Sequence, residues 1–444
     1  MRMSIRTLSR NALTLSLAGG ILAGCSWFGE DEAPPLPGDR VSIILLESDL
    51  EPDPRLADLE VRLPKPYVNK DWPQYGGYSD HAMHHLQAGD ALTEAWSVSI
   101  GDGGDDENRL LNAPVISNGR IFTVDIDYEV RAHDVETGRL LWSREIEIPD
   151  EDDDAFGGGL AVDGDRLFLS TGYARVIAMS TENGQEIWRK IASGPIRSAP
   201  AVSKDIVLVT AVDNQSTAYS ASTGEKLWTH TGFAESAGLI GGSSPAIHNS
   251  MAYIPYSSGE LFALRLTNGR VAWSGSLASL RRVDTLSSLA DIRGGPVVDR
   301  GVVFAISHAG RMAAFDQKSG ARVWDRRIGG INTPWVAGNF VFVLASDGHL
   351  AALTRRGGRV RWLSSLPIWE DPEDREDPIN WVGPVLVGDR LLLGNSIGEL
   401  WTFSPYDGSA LGREDVGDAI RVPPVVADGK IFIQTDGGRL IAFK

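Results

Sequence analysis

The chain has 444 residues and a formal net charge of −17. So acidic a protein is a poor partner for the phosphate backbone of a nucleic acid or for an anionic lipid surface. Hydrophobic residues make up 42% of the sequence, which is enough for a packed core and excludes global disorder. The 49 glycines indicate many tight turns and favour an all-β fold over a helical one.

Residues 1–24 have the pattern of a signal peptide. Three arginines and no acidic residue lie in the first ten positions, and an apolar stretch from about Leu13 to Leu22 follows. That stretch is too short to span a bilayer, and a positive start before a short apolar segment is typical of export signals. We expect this segment to direct the chain out of the cytoplasm and to be removed.

Cys25 is the single cysteine of the sequence, and it directly follows Leu22-Ala23-Gly24. Small residues in this arrangement match the lipobox, where a peptidase cuts before a cysteine whose thiol has been diacylated. A lone thiol could also stay free or pair between chains, but its place after the apolar stretch favours lipidation. Ser26 follows instead of an aspartate. By the sorting rule of bacterial lipoproteins, this predicts an anchor on the periplasmic face of the outer membrane.

One sequence frame recurs between residues 132 and 412 of the chain. It reads Ala-x-Asp-x-x-Thr-Gly-x-x-x-Trp, and its first copy runs from Ala132 to Trp142. A seventh, degraded copy has Gly412 at the last position, and six copies end in Trp142, Trp188, Trp228, Trp273, Trp324 and Trp362. Steps of about 40 to 50 residues match the period of a four-stranded propeller blade. Pairs such as Asn118-Gly119 and Asp428-Gly429 indicate hairpins inside these periods.

The count of repeats predicts how the ring closes. Seven intervals end at these positions, and the chain then finishes at Leu440–Lys444 before a last strand can form. A strand of the right pattern is available at Leu92–Val98, where Trp96 takes the place of the repeat tryptophan. The sequence therefore predicts an all-β fold, an eight-bladed β-propeller with four-stranded blades, closed by N- and C-terminal strands. Such a closure leaves no open edge.

The remaining residues divide around this ring. We expect residues 92–444 to form the propeller and residues 67–91 to be a lead-in that packs on it, since Asn69–Gly77 is rich in structure-forming residues. Residues 25–66 are expected to be a lipid anchor and flexible tether. The run Pro34–Pro37 beside three acidic residues is typical of an extended linker.

The repeat resembles that of pyrroloquinoline-quinone (PQQ) type propellers, over roughly residues 92–444. Two groups use it: periplasmic quinoprotein dehydrogenases, and the BamB family, lipoproteins of the outer-membrane β-barrel assembly (BAM) machinery. The lipobox and the eight blades resemble the BamB family. This resemblance implies a non-enzymatic scaffold without a cofactor, which binds the periplasmic domains of BamA and assists nascent outer-membrane proteins. The alternatives are a propeller that binds PQQ or another small ligand, and an adaptor in a different envelope complex.

Two loops carry the resemblance at residue level. Ile196-Arg197, just before Ala199-Pro200, resembles the Leu-Arg pair of the BamB loop that docks on BamA. Asp291 resembles the first of two aspartates in a second docking loop, and Arg293 stands on or near the place of the second. The resemblance therefore implies partner contacts at these four positions, with docking chemistry changed by the arginine.

The loops that follow the repeat tryptophans lie on one rim in the predicted fold, and their charge differs around the ring. Acidic runs occur at residues 102–107, 150–154 and 370–377. Because none has the spacing of a calcium-binding loop, we expect solvated loops. The loops that begin intervals three to six, after Trp188, Trp228, Trp273 and Trp324, are basic and apolar, and the longest contains Arg281 and Arg282. Arginine mixed with Leu and Ile is enriched at protein interfaces, so we expect a protein partner there.

Other chemistry is weakly indicated. The repeat tryptophans could stack on a sugar or cofactor, but their fixed place in each period favours a buried structural role. His81, His84 and His85 could hold a metal, yet we expect surface histidines because no cysteine or carboxylate set accompanies them. The sequence has no adjacent cysteines of the quinoprotein kind, and His-Glu-x-x-His and P-loop patterns do not occur. A Ser-His-Asp set formed in space stays open.

Overall fold

The computed structural model describes residues 50–89, 91–104, 109–148, 157–233, 241–278 and 291–444. Cys25, the expected signal peptide, Arg281, Arg282 and the acidic run at 150–154 lie outside the described residues. In the described part, eight four-stranded sheets and one two-stranded hairpin account for nearly all regular structure. The exception is one turn of 3-10 helix, Pro54–Leu56. A search of the same residues finds no helix long and apolar enough to cross a membrane.

Each sheet is one blade, and its strands are counted here from the innermost outward. β1 (Glu94–Ser99) comes first in the chain, and blades 1 to 4 follow it: β2 (Val115–Ser117), β3 (Arg120–Val124), β4 (Glu129–Asp134), β5 (Leu140–Glu145); β6 (Gly158–Asp163), β7 (Arg166–Thr171), β8 (Arg175–Ser180), β9 (Glu186–Ile191); β10 (Ala201–Ser203), β11 (Ile206–Thr210), β12 (Gln215–Ser220), β13 (Lys226–Thr231); β14 (Ala246–His248), β15 (Met251–Pro255), β16 (Glu260–Arg265), β17 (Val271–Ser276).

Blades 5 to 8 repeat this order, with the small hairpin inserted before blade 7. Their strands are β18 (Val297–Asp299), β19 (Val302–Ser307), β20 (Arg311–Asp316), β21 (Arg322–Arg326); β22 (Trp335–Ala337), β23 (Phe340–Leu344), β24 (His349–Thr354), β25 (Val360–Ser365); the hairpin β26 (Trp369–Asp371), β27 (Glu376–Pro378); β28 (Trp381–Val387), β29 (Arg390–Asn395), β30 (Glu399–Phe403), β31 (Ala410–Asp415); β32 (Val425–Ala427), β33 (Lys430–Gln434), β34 (Arg439–Phe443).

The two ends of the ring meet in blade 8. Its strand order is β32-β33-β34-β1, and Trp96 and Val98 of β1 pair with Ala442 and Leu440 of β34. The predicted all-β fold, an eight-bladed propeller closed by N- and C-terminal strands, is confirmed. The inner three strands of a blade are mostly buried, whereas the outermost strand alternates between exposed and buried residues, as in β13.

The repeat tryptophans join neighbouring blades. Each of the six indole N–H groups donates to a backbone carbonyl of the next blade over 2.8 to 3.1 Å; the acceptors are Thr181, Ala221, Leu266, Gln317, Arg355 and Pro405. The indole of Trp228, for example, is 8% exposed. A buried indole whose N–H has a partner contributes a large apolar area without an unsatisfied donor, so these contacts hold the blades side by side.

The glycine of each repeat explains how the tryptophan fits. In Gly269, φ is +66°, and a Cβ atom built there would lie 2.7 Å from Cε3 of Trp228 in the preceding blade. The same approach, within 2.9 Å of a tryptophan ring carbon, recurs at Gly138, Gly184, Gly224, Gly320, Gly358 and Gly408. Glycine is therefore required twice, for its left-handed backbone and because a neighbouring indole occupies the place of a side chain.

The lead-in, residues 67–89 and 91 of the described chain, runs along the inner strands of all eight blades. Trp72 exchanges two backbone hydrogen bonds of 2.8 Å with Ile116 of β2. Further bonds join the lead-in to the penultimate residues of the other inner strands or, in blade 6, to the Trp335 indole; these partners are Val162, Val202, Ile247, Val298, Trp335, Leu386 and Val426. Inner strands have an open edge toward the centre of the ring, and the lead-in satisfies it.

The packed segment begins earlier than the boundary expected at residue 66. Leu50 and Val61 are buried against the ring, and the Asp53 N–H donates to the carbonyl of Val360 over 2.9 Å. Isolated apolar residues in a polar stretch give no periodic pattern. The sequence alone therefore does not distinguish residues 50–66, which pack on the ring, from the residues expected to form a tether.

The inter-blade packing yields a matched test. Gly269→Ala adds a methyl group against Trp228 at a left-handed backbone position, whereas Gly119→Ala meets the same backbone demand (φ +73°) with nothing within 4 Å. We expect Gly119→Ala to lower the free energy of unfolding by about 1 kcal/mol and Gly269→Ala to lower it by about 1–3 kcal/mol more, because of overpacking. Urea titrations measure both. Equal losses would show that the indole contact imposes no constraint.

The lead-in gives a second test at Gln74. Its side-chain amide donates to the Val202 carbonyl over 2.8 Å and accepts from the Val202 N–H over 2.9 Å. Gln74→Leu leaves both buried backbone groups without partners, so we expect a loss of about 2–4 kcal/mol in the free energy of unfolding. Lys70→Leu, at an exposed position of the same segment, should change it by about 0.5 kcal/mol or less. A Gln74 variant as stable as the Lys70 variant would show that the bonds from Gln74 to Val202 do not stabilise the lead-in on the ring.

Candidate functional site

Eight connectors join the outermost strand of one blade to the innermost strand of the next. They lie on one side of the ring, because four antiparallel strands return the chain to the side from which it started. We call this side the connector rim; it comprises residues 100–114, 146–157, 192–200, 232–245, 277–296, 327–334, 366–380 and 416–424, in part outside the described residues.

A funnel opens at the centre of the connector rim. It has a volume of about 1190 Å³ including its open mouth. Every connector, or the first residue after it, contributes to its wall, through Leu111, Gly158, Arg197, Gly242, Arg293, Ile331, Asn380 and Ile420. Tyr75 of the lead-in also lines it and donates or accepts a hydrogen bond of 2.9 Å with the Thr333 hydroxyl. The lead-in thus contributes to the floor of the funnel.

Four arginines line this funnel: Arg109, Arg197, Arg293 and Arg421. No aspartate or glutamate is among the described residues that line it. Asp436, behind the wall, partly balances two of them: its carboxylate lies 2.5 Å from Nε of Arg421 and 3.9 Å from Nη1 of Arg109. The described lining of the funnel is therefore basic, in a chain whose net charge is −17.

Of the predicted contact residues, Ile196 takes a different place from the expected one. Its side chain is fully buried, and its backbone pairs with Ala211 of the next blade. The expectation of a surface contact is corrected: Ile196 anchors the loop, since an apolar side chain at the start of a blade joins the core between blades. Arg197 beside it is half-buried and turns into the funnel.

The second predicted loop divides in the same way. Asp291 is 7% exposed, and its carbonyl accepts from the His308 N–H over 2.9 Å, so its side chain is not a surface contact. Arg293 reaches across to the neighbouring connector, where a Cβ atom on Gly241 would lie 2.9 Å from its Nη2. Burial lowers the pKa of the Arg293 guanidinium, because a charged group in a desolvated site is disfavoured. The structure thus brings Arg197 and Arg293 together in one funnel.

An exposed apolar patch lies beside Arg197 on the connector rim. Its members are Ile191 (69% exposed), Val212 (43%) and Phe233 (72%). The Val212 N–H donates to the carbonyl of Pro195, and the Asn214 amide donates to that of Phe233. These contacts fix Val212 and Phe233 on the rim of blade 3, and Ile191 ends β9 of blade 2 directly before the connector that contains Pro195. Large exposed apolar side chains that cluster mark interaction surfaces.

Comparison with known proteins identifies the family. A sequence model of the family described as outer membrane protein assembly factor BamB matches residues 93–151 and 127–364, together more than half of the chain. The chain belongs to the BamB family. Relatives named outer membrane protein assembly factor BamB from Escherichia coli K12 and Yersinia pestis are 28% and 27% identical. They match 78% and 79% of this chain and 87% and 88% of their own lengths.

Solved structures have the same fold. The crystal structure of BamB from Moraxella catarrhalis superposes with a TM-score of 0.63 at 18% identity, covering 80% of this chain and 98% of that one. A europium-containing methanol dehydrogenase gives a TM-score of 0.66 at 14% identity, covering 82% and 89%. At these identities the likeness shows a shared propeller and nothing about activity.

Arg109 and Arg421 of this BamB-family funnel were not among the residues predicted from the sequence, although a signal for Arg421 was present. Arg197, Arg293 and Arg421 each stand three residues before the proline that precedes or starts an inner strand. The residues at that position in other blades also line the funnel: Leu111, Gly242, Ile331 and Trp381. One register position therefore faces the centre of the ring in seven blades, and reading it column by column would have found three of the arginines.

The acidic run at residues 370–377 lies on the same rim as an exposed hairpin, β26–β27. Of the run at 102–107, only residues 102–104 belong to the described chain. A carboxylate-rich hairpin and a patch of arginines and apolar residues thus occupy different sectors of the rim, although they share one face of the BamB-family ring.

The expectation of surface histidines is wrong for His81 and His85, which are 3% and 1% exposed. Nδ1 of His81 bonds the Pro296 carbonyl over 2.9 Å, and Nδ1 of His85 bonds the Pro64 carbonyl over 2.8 Å. Nε2 of His85 also accepts from the Asp389 N–H over 3.1 Å, so both histidines hold the lead-in on the ring, which a local sequence pattern does not reveal. Among the described residues, no group of three His, Cys, Asp or Glu side chains is arranged to hold a metal ion.

These histidines predict how stability depends on pH. Burial lowers the pKa of His81 from 6.5 to about 4. The imidazole therefore stays neutral in the folded chain, whereas it is protonated in the unfolded chain. The contribution of His81 to the free energy of unfolding is therefore fully present above pH 6.5. It falls as the pH drops from 6.5 toward 4, by up to about 1.4 kcal/mol per pH unit. Burial lowers the pKa of His133 to about 4 as well. We expect His81→Gln to reduce this slope, with His133→Gln adding to the effect.

Denaturant titrations between pH 7 and pH 4.5 measure the slope of each variant. An unchanged slope in the double variant would show that other groups control the acid sensitivity of the propeller.

Proposed function

We propose that this protein is a non-enzymatic scaffold of the outer-membrane β-barrel assembly machinery. It docks its connector rim on the periplasmic domains of BamA and assists the folding and insertion of nascent outer-membrane proteins. Membership of the BamB family, whose described role is outer membrane protein assembly, is the observation that carries this proposal.

The chemistry of the rim supports a protein partner. Ile191, Val212 and Phe233 offer exposed apolar area on blades 2 and 3, and the Val212 N–H is bonded to the connector that contains Arg197. Interfaces combine apolar or aromatic anchors with arginine, and the anchors supply most of the binding energy. The rigid blades beneath hold these loops in place, which limits the entropy lost on docking.

The anchor completes the proposed arrangement. A lipid on Cys25 would hold the protein on the periplasmic face of the outer membrane, where BamA presents its periplasmic domains. Palmitate labelling of the wild-type chain and of Cys25→Ser, followed by membrane fractionation, tests it. Label on the serine variant would contradict lipidation at this cysteine.

The alternative of a PQQ-binding propeller arises from the fold shared with a methanol dehydrogenase. Quinoprotein dehydrogenases of this repeat place adjacent cysteines against the cofactor, whereas this sequence has one cysteine, at position 25. Absorbance titration of the purified chain with PQQ and calcium separates the two functions. A saturable spectral change with oxidation of an alcohol would replace the scaffold proposal with an enzymatic one.

The docking proposal makes a prediction at Arg197. Arg197→Glu reverses the charge beside the apolar patch and should lower the amount of BamA that co-purifies in detergent by about tenfold, equal to about 1.4 kcal/mol. Arg270→Glu is the matched control, because it makes the same charge change at an exposed turn on the opposite rim. Thermal melting verifies that both variants are folded. Equal recovery of BamA with the two variants would remove Arg197 from the interface.

A further inference from the structure

Among the described residues, the lining of the funnel contains four arginines and no carboxylate. Asp436 pairs with Arg421 and approaches Arg109. For Arg293, the described residues include no carboxylate within ion-pair distance, although Asp291 and Tyr75 act on it through their charges and burial lowers its pKa. A desolvated guanidinium without a close anion is costly. An incoming carboxylate would recover that cost, so the funnel is complementary to an anion.

The rest of the wall indicates what carries the anion. Ile331, Trp381, Val382 and Ile420 line the same space as the arginines. A small hydrated polyanion uses the arginines alone, and it leaves this apolar surface wet. An extended peptide with alternating acidic and apolar side chains satisfies both kinds of lining, because successive side chains point to opposite sides.

The geometry of access is consistent with a peptide. The funnel opens on the connector rim, next to Arg197 and the exposed patch of Ile191, Val212 and Phe233. Its floor includes Tyr75 of the lead-in, which covers the inner strands from the other side. A loop that belongs to a protein docked on the rim can therefore enter the funnel without crossing the ring.

We propose that the funnel binds an acidic, apolar peptide segment of a docked protein partner, with a carboxylate on Arg293. This inference rests on the proposed docking function and adds to it a ligand class and a position. Guanidinium groups bind carboxylates through paired, charge-assisted hydrogen bonds. The apolar side chains of the segment pack against Ile331 and Trp381.

The test uses the full-length mature protein in detergent and two labelled peptides. One has the sequence acetyl-Glu-Leu-Glu-Leu-Glu-amide, and the other has glutamine in place of each glutamate. Fluorescence anisotropy should give at least tenfold tighter binding of the glutamate peptide, which weakens as salt increases. Arg293→Gln should reduce its affinity by about five- to tenfold, while Arg270→Gln, on the opposite rim, leaves it unchanged.

A second variant acts without removal of an arginine. Ile331→Glu places a carboxylate in the funnel and should abolish binding of the glutamate peptide, whereas Ile331→Gln, similar in size, should retain most of it. Equal binding of the two peptides, or binding insensitive to both funnel variants, overturns the inference. Citrate that competes at the affinity of the peptide overturns it too, because the site would then recognise a small polycarboxylate.

Failure of this inference is distinguishable from failure of the docking function. If the wild-type chain co-purifies with BamA while neither peptide binds, the funnel inference is wrong and docking stands. If the glutamate peptide binds at the funnel while BamA does not co-purify, the peptide site stands for a different partner and the docking proposal is wrong.

Discussion

The contact between a tryptophan and the glycine of the next blade is the constraint on which the ring depends. Six indoles donate to a carbonyl beyond their own blade, and each of the six occupies the place where a Cβ atom on the glycine of the next blade would be. Loss of such an aromatic side chain typically costs about 3–5 kcal/mol. Because the contact recurs around the ring, each blade fixes the position of the next, and the funnel inherits its geometry from this sum of local contacts.

The same contact explains why the fold is readable from the sequence. The Thr-Gly pair and the tryptophan four residues later are short-range features, and their period gives the number of blades. Closure by Leu92–Val98 follows from counting, and β1 pairs with β34 as that count requires. In Asp134 the reason for the turn is also local, since its carboxylate accepts from the backbone and hydroxyl of Thr137, which lowers its pKa.

What the sequence does not reveal lies at the centre of the ring, where contacts join residues far apart in the chain. His81 and Pro296 meet across more than two hundred residues, and so do Trp335 and the carbonyl of His84. No local pattern distinguishes a surface histidine from a buried one that anchors the lead-in on the ring. Ile196 shows the same limit from the other side. Its neighbour Arg197 points into the funnel while Ile196 is buried, and alternate residues of a loop take these places only once the blades are assembled.

The lead-in and the funnel are related, because Tyr75 of the lead-in lines the funnel. The lead-in forms hydrogen bonds with the inner strands on one side of the ring. The funnel opens on the other side, at the connector rim. The four arginines stand on connectors close to the start of an inner strand, so the ring sets their spacing. A partner that docks on the rim by the exposed patch at Ile191, Val212 and Phe233 brings its loops over the funnel mouth. Long-range attraction from the funnel would then orient an acidic partner before contact, because a concave site surrounded by low-dielectric protein concentrates the electric field.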